Sequence, residues 1–194
     1  GILLTRAHIR KLNRAPGFPV GIALIASYLE SQKIPVGILD LAMQKDWEGA
    51  LRKELEKRDC AVVGVSFQIT QHDEAAQVAR YVKKNFPGMK VVFGGSFPSS
   101  APEDCMANPD VDLVCCGEGE LTTLDLMQAY ESGRPLDEVA GIVFRREDGQ
   151  VARTAPRAPI EDLDRMPLPA YHLLDLEPYI QAEHTSDFTG GKNR

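Results

Sequence analysis

The sequence is short of the residues from which most metal and redox sites are made. Its 194 residues include four cysteines, Cys60, Cys105, Cys115 and Cys116, and none stands in a Cys-x-x-Cys or related metal spacing. Cys115-Cys116 ends an apolar run and reads as core and rim, because a free thiol packs as a small hydrophobe. The four histidines show no spacing that would assemble a nucleophile, a base and an orienting group. No apolar run approaches the ~20 residues of a membrane span. No basic segment followed by an apolar stretch and a small-residue cleavage site opens the chain, so the cytoplasm is the expected location. Concentrated positive charge is also lacking: the net charge is −6, with Lys and Arg scattered among acids. That leaves no electrostatic footprint for a phosphate backbone, and nucleic acid is not an expected partner. The G-x-G-x-x-G fingerprint is missing after the first strand, as is the Walker G-x-x-x-x-G-K-[ST] loop, which argues against a nicotinamide dehydrogenase or an NTPase.

What is present is an ordinary globular balance, 43% hydrophobic and 26% charged. A chain of this length fits one domain, perhaps with an appendage, and removes roughly 70% of its unfolded surface from water. Ile2-Leu3-Leu4, Val36 to Leu39, AVVGVSF at 61–67, KVVFGG at 90–95 and VDLVCC at 111–116 read as strands. Between them lie helical patterns: one opened by Pro19, one from Trp47 to Lys57, one from about Asp73 to Phe86 and a short one near Pro102. A further helix runs from about Glu120 to Glu131. The alternation predicts an α/β doubly wound fold with a five-stranded parallel sheet of flavodoxin-like or Rossmann-like form, because parallel neighbours need crossover connections. This domain spans residues 1–133. GIVFRREDGQVART, within 134–154, reads as a β-hairpin extension around Asp148-Gly149. Residues 155–194 form a proline-rich arm in which Pro156, Pro159, Pro167, Pro169 and Pro178 are expected to interrupt regular structure.

In such sheets, ligands sit beyond the carboxyl ends of the strands. The candidate rim is therefore Thr5 to Phe18, Ser66 to Gln71, Gly94 to Ser99 and Cys116 to Gly119. Ser66, Gln68 and Thr70 alternate with Phe67 and Ile69, offering hydroxyl and amide partners beside apolar walls. Gly94-Gly95-Ser96 allows close backbone approach and adds a hydroxyl, which suits a bulky planar or ribose-phosphate group. Gly117-Glu118-Gly119 is a second glycine turn, with Glu118 read as a rim or structural residue and not as a general base.

The ordered runs PVGIALIASYLE, VVGVSFQIT, VVFGGSFPS, VDLVCCGEGE, GIVFRREDGQVART and PIEDLDRMPLPAYHLL resemble the N-terminal cobalamin-binding domain of cobalamin-dependent radical S-adenosylmethionine enzymes. The likeness is to the methyltransferase and magnesium-protoporphyrin monomethyl ester oxidative cyclase types and covers about residues 2–180. It implies a cobalamin cofactor whose nucleotide tail meets Ser66 and Thr70 and passes at Gly94-Gly95, with Gln68 and Ser96 also expected to be cofactor-binding. Gly117, Glu118, Gly119 and the first loop would border the corrin. The mutase-type Asp-x-His-x-x-Gly signature fails at His8, where Arg6 and Lys11 take the Asp and Gly places, and at His72, where Thr70 and Ala75 do. No histidine is therefore expected to ligate cobalt. The Cys-x-x-x-Cys-x-x-Cys triad is absent too. The resemblance therefore implies S-adenosylmethionine and a 4Fe-4S cluster in a parent enzyme only, with its C-terminal radical S-adenosylmethionine barrel as the partner, and this chain alone is not expected to perform radical chemistry. The alternative is a domain of the same fold that docks the barrel and gates substrate without a cofactor. A two-component receiver is disfavoured, because Thr5-Arg6 and Ser66-Phe67 stand where its acidic cluster and phosphorylatable Asp would be.

Overall fold

The computed structural model describes residues 1–7 and 17–185. His8 and most of the expected first loop lie outside the described residues. Five parallel strands, β1 (Ile2–Arg6), β2 (Val36–Asp40), β3 (Val62–Ser66), β4 (Lys90–Gly94) and β5 (Leu113–Cys115), are extended by β6 (Ile142–Arg145) and β7 (Val151–Arg153). The sheet order is β2-β1-β3-β4-β5-β6-β7, with β6 and β7 antiparallel to their neighbours. The sheet therefore has seven strands where the parallel layer alone was expected to have five. The reason is that β5 leaves a free edge, and Leu113 to Cys115 pair with Phe144 to Ile142 to cover it.

Period-two alternation sorts the strand side chains onto two faces. Leu3, Val63, Val65, Val91, Phe93 and Val114 face one core, beneath α2 (Trp47–Lys57), α3 (His72–Asn85) and the short α5 (Pro102–Met106). Ile2, Leu4, Val62, Val92, Leu113 and Cys115 face the other, beneath α1 (Val20–Ser31) and α6 (Gly119–Ser132). Helix α2 starts at Asp46, whose carboxylate accepts from the Gly49 N–H at 3.0 Å. Helix α6 ends at Gly133, whose φ of +71° is the left-handed cap that glycine adopts without a Cβ penalty.

Two elements depart from expectation. Helix α4 (Ser96–Ser100) precedes α5 where one short helix was expected. The arm also contains a regular helix, α7 (Glu177–Thr185), despite Pro178. A proline in a first turn removes no helical hydrogen bond, so α7 forms where an interruption was expected.

Candidate functional site

The second face of the sheet is bulky at its amino end and bare at its carboxyl end. Going up β3, the positions on this face are Val62, Gly64 and Ser66; going up β4 they are Val92 and Gly94. Ser66 and Gly94 are register partners, as are Gly64 and Val92, so the small residues lie side by side. Above them, α1 contributes Gly21 and α6 begins at Gly119. The result is a cavity of about 230 Å³ between sheet and helices, lined by Leu4, Ile22, Ile25, Val92 and Cys115 among its apolar residues. Nothing lies within 4 Å of the places where Gly21, Gly94 and Gly117 would carry a β-carbon, so all three keep space open. Gly119 acts differently: a β-carbon there would fall 2.4 Å from Ile25 Cδ1, so its absence lets the two helices close the roof.

The two glycine turns are joined to each other. The Ser99 hydroxyl donates to the Gly95 carbonyl at 2.8 Å and accepts from the Gly117 N–H at 3.0 Å. Gly95 has φ +102° and ψ −170°, a region essentially reserved for glycine. A β-carbon on it would sit 2.7 Å from the Phe67 carbonyl oxygen and 3.0 Å from Ser66 Oγ. Below the rim, Gln71 is buried, donates to the Ala7 carbonyl at 3.1 Å and accepts from the Gln68 N–H at 3.2 Å, tying the loop after β3 to the end of β1.

Of the expected site residues, Ser66, Gly94, Gly95, Gly117, Glu118 and Gly119 all line the cavity. Gln68, Thr70 and Ser96 are exposed on the loops beside it and are not among the lining residues. Glu118 also reaches the arm, where its carboxylate accepts from the Ile160 N–H at 2.6 Å. Sequence reasoning missed Gly21, Gly64, Glu120 and Thr123. Strand parity held the signal for Gly64, because it shares a face with Ser66.

Glu120 is a half-buried ionisable group of the lining. Burial raises its pKa, and the nearby Glu118 charge adds to the shift against hydrogen bonds from the α6 N-terminal amides. The thiols are not activated: burial pushes Cys115 up to about 12 and Cys105 up to about 11. Among the described residues, no group of three or more His, Cys, Asp or Glu side chains could hold a metal ion. His72 packs edge-on against Phe97, with ring centroids 5.3 Å apart, and is not a lining residue. No helix of the described residues is long and apolar enough to cross a membrane.

A doubly wound sheet with a small-residue slot at the carboxyl ends of its central strands defines a cofactor-binding α/β domain. The chain belongs to the B12 binding domain family, whose sequence pattern matches residues 14–127. It is 31% identical over 176 residues to an uncharacterized methyltransferase of Pyrococcus horikoshii, covering 90% of this chain and 38% of that protein. To the anaerobic magnesium-protoporphyrin IX monomethyl ester cyclase of Synechocystis it is 29% identical over 168 residues, covering 83% of this chain and 32% of the cyclase. The chain thus spans about a third of the length of these relatives. The cobalamin-dependent S-adenosylmethionine radical enzyme OxsB, with aqua-cobalamin and S-adenosylmethionine bound, shares the fold over 93% of this chain and 25% of its own at a TM-score of 0.80 and 22% identity. The radical S-adenosylmethionine methyltransferase TsrM from Kitasatospora setae, with cobalamin and a [4Fe-4S] cluster bound, does so over 86% of this chain and 30% of its own at 0.71 and 21%.

Proposed function

We propose that this chain is the cobalamin-holding module of a larger radical S-adenosylmethionine enzyme that transfers a methyl group or closes a ring. The observation that carries the reading is the cavity: a narrow apolar slot, roofed by α1 and α6, that opens between two glycine turns. An apolar slot with a few polar groups at its mouth suits the flat aromatic base of the cobalamin nucleotide tail. Ser66 would meet the tail at the mouth, and Gly94 and Gly95 let it pass. Gly117, Glu118 and Gly119 border the corrin. Gln68, Thr70 and Ser96 stand exposed beside the slot and would offer hydroxyl and amide partners to the cofactor, Thr70 to its tail.

When bound, cobalamin supplies a cobalt centre able to carry an alkyl group. The chain's own residues bind and orient the cofactor and keep water from the tail. S-adenosylmethionine and a 4Fe-4S cluster belong to the parent's C-terminal barrel, the expected partner.

The test is gel filtration of the chain after mixing with hydroxocobalamin or with cobinamide, which lacks the nucleotide tail. Corrin absorbance should co-elute with the protein, and far more of it from hydroxocobalamin. No co-elution under reducing or oxidising conditions would move the assignment to a cofactor-free docking and substrate-gating domain.

A further inference from the structure

Helix α1 is covered on two opposite sides. At 3.6 residues per turn, Gly21, Ile22 and Ile25 fall on one side and Ala23, Ser27 and Glu30 on the other. The first side is a wall of the cavity. The second carries the arm. The Ala170 N–H donates to the Ala23 carbonyl at 2.9 Å, the Ser27 hydroxyl donates to the Leu168 carbonyl at 2.6 Å, and His172 Nε2 lies 2.9 Å from the Glu30 carboxylate.

The arm is also fastened to the end of the sheet. Phe18, just before α1, packs against Tyr171 and Tyr179 with ring centroids at 5.1 and 5.4 Å. The Tyr179 hydroxyl donates to Asp40 Oδ2 at 2.6 Å. Asp40 is only 2% exposed, and its carboxylate also receives both Arg6 Nε and a terminal Arg6 nitrogen, as well as the Ala42 N–H. Arg6 donates onward to the Gly17 carbonyl at 2.7 Å. A carboxylate this buried is retained only with its partners in place, so the tyrosine hydroxyl fixes where the arm can sit.

We infer that the cavity and the 168–179 arm are energetically coupled through α1: occupation of the slot tightens the arm on the far side of the helix, and the docked arm holds the slot's wall in place. Tyr179, Asp40 and Ser27 are then positioning residues that set cofactor affinity from outside the site. This rests on the cobalamin reading only for the identity of the ligand. On that reading, the arm leads toward the barrel, so cofactor loading is signalled to it through α1.

The experiment is hydrogen exchange of the whole chain with and without hydroxocobalamin, with affinities measured for Tyr179→Phe and Ser27→Ala. Cobalamin should slow exchange of amides 168–174, and Tyr179→Phe, which keeps the ring against Phe18, should weaken cobalamin binding by about tenfold, within the usual range for coupled sites. Cobalamin that binds without changing exchange in the arm, or with unchanged affinity for both variants, overturns the coupling. Gly94→Leu separates this from the ligand assignment, because a leucine there fills the slot without any cofactor. If hydroxocobalamin does not bind but Gly94→Leu slows exchange at 168–174, the coupling stands and the ligand reading falls. Unchanged exchange in that variant, with no cobalamin bound, sinks both.

Discussion

Gly94 and Gly95 are neighbours with different tasks, and substitution should separate them. Gly94 faces open space, so Gly94→Leu meets no atom within 4 Å at its β-carbon and should abolish cobalamin binding without lowering the midpoint of urea unfolding. Gly95 sits where other residues are strained. Gly95→Ala should cost about 1–3 kcal/mol from its backbone conformation alone, read as a lower urea midpoint. Glu120 gives a prediction in pH. Its pKa is raised above the ordinary 4.5 in the folded protein, so the fold holds that proton more tightly than the unfolded chain does. The stabilisation is present below 4.5 and is lost as the pH rises through the raised folded value. At neutral pH the ionised carboxylate is therefore a cost. Glu120→Gln should be more stable than the parent there, with the difference shrinking as the solution is acidified, as followed by urea unfolding across pH.

At the scale of elements, the two faces of the sheet should prove separable. Helix α2 lies on the face away from the cavity. Asp46→Ala removes its N-cap bond to Gly49 and should cost about 1 kcal/mol, yet leave cobalamin affinity unchanged in a titration. A loss of affinity would mean that the first core, and not α1 and α6, sets the slot. Helix α2 was legible, since Trp47, Leu51 and Leu55 recur four apart, although its cap on Asp46 was not read. Helix α4 was not. Ser-Phe-Pro-Ser-Ser is a poor helical sequence, and the turn is held by Ser99 and Ser100 hydroxyls bonding back to the Gly95 and Phe97 carbonyls. Helix α1 was legible as a helix from its apolar spacing, but what covers it was not. Ile22, Ala23, Ala26 and Leu29 recur at the spacing of one buried face and join the core against the sheet, whereas the arm that bonds to Ala23 and Ser27 comes from a distant part of the sequence.

For the whole molecule, binding in a slot between two layers should stabilise both together. Hydroxocobalamin at 100 times its dissociation constant should add about 2.7 kcal/mol, seen as a rise in Tm that grows with ligand concentration, while tail-less cobinamide at the same concentration should give a much smaller rise. An equal rise with both would place the binding energy on the corrin and not in the slot. The sequence by itself determined the alternation of strands and helices, the parallel layer and the two glycine turns, because these follow from local periodicity and from backbone conformations that single residues require. It also marked Ser66 and Gly94 as rim residues. Only the tertiary structure decided that Ser66 and Gly94 are register partners, that Gly21 and Gly119 join them from helices distant in sequence, and that Gln68, Thr70 and Ser96 stand outside the lining. Those facts depend on which strands become neighbours and how closely helices approach them, a property of packing across the layers that no run of adjacent residues encodes.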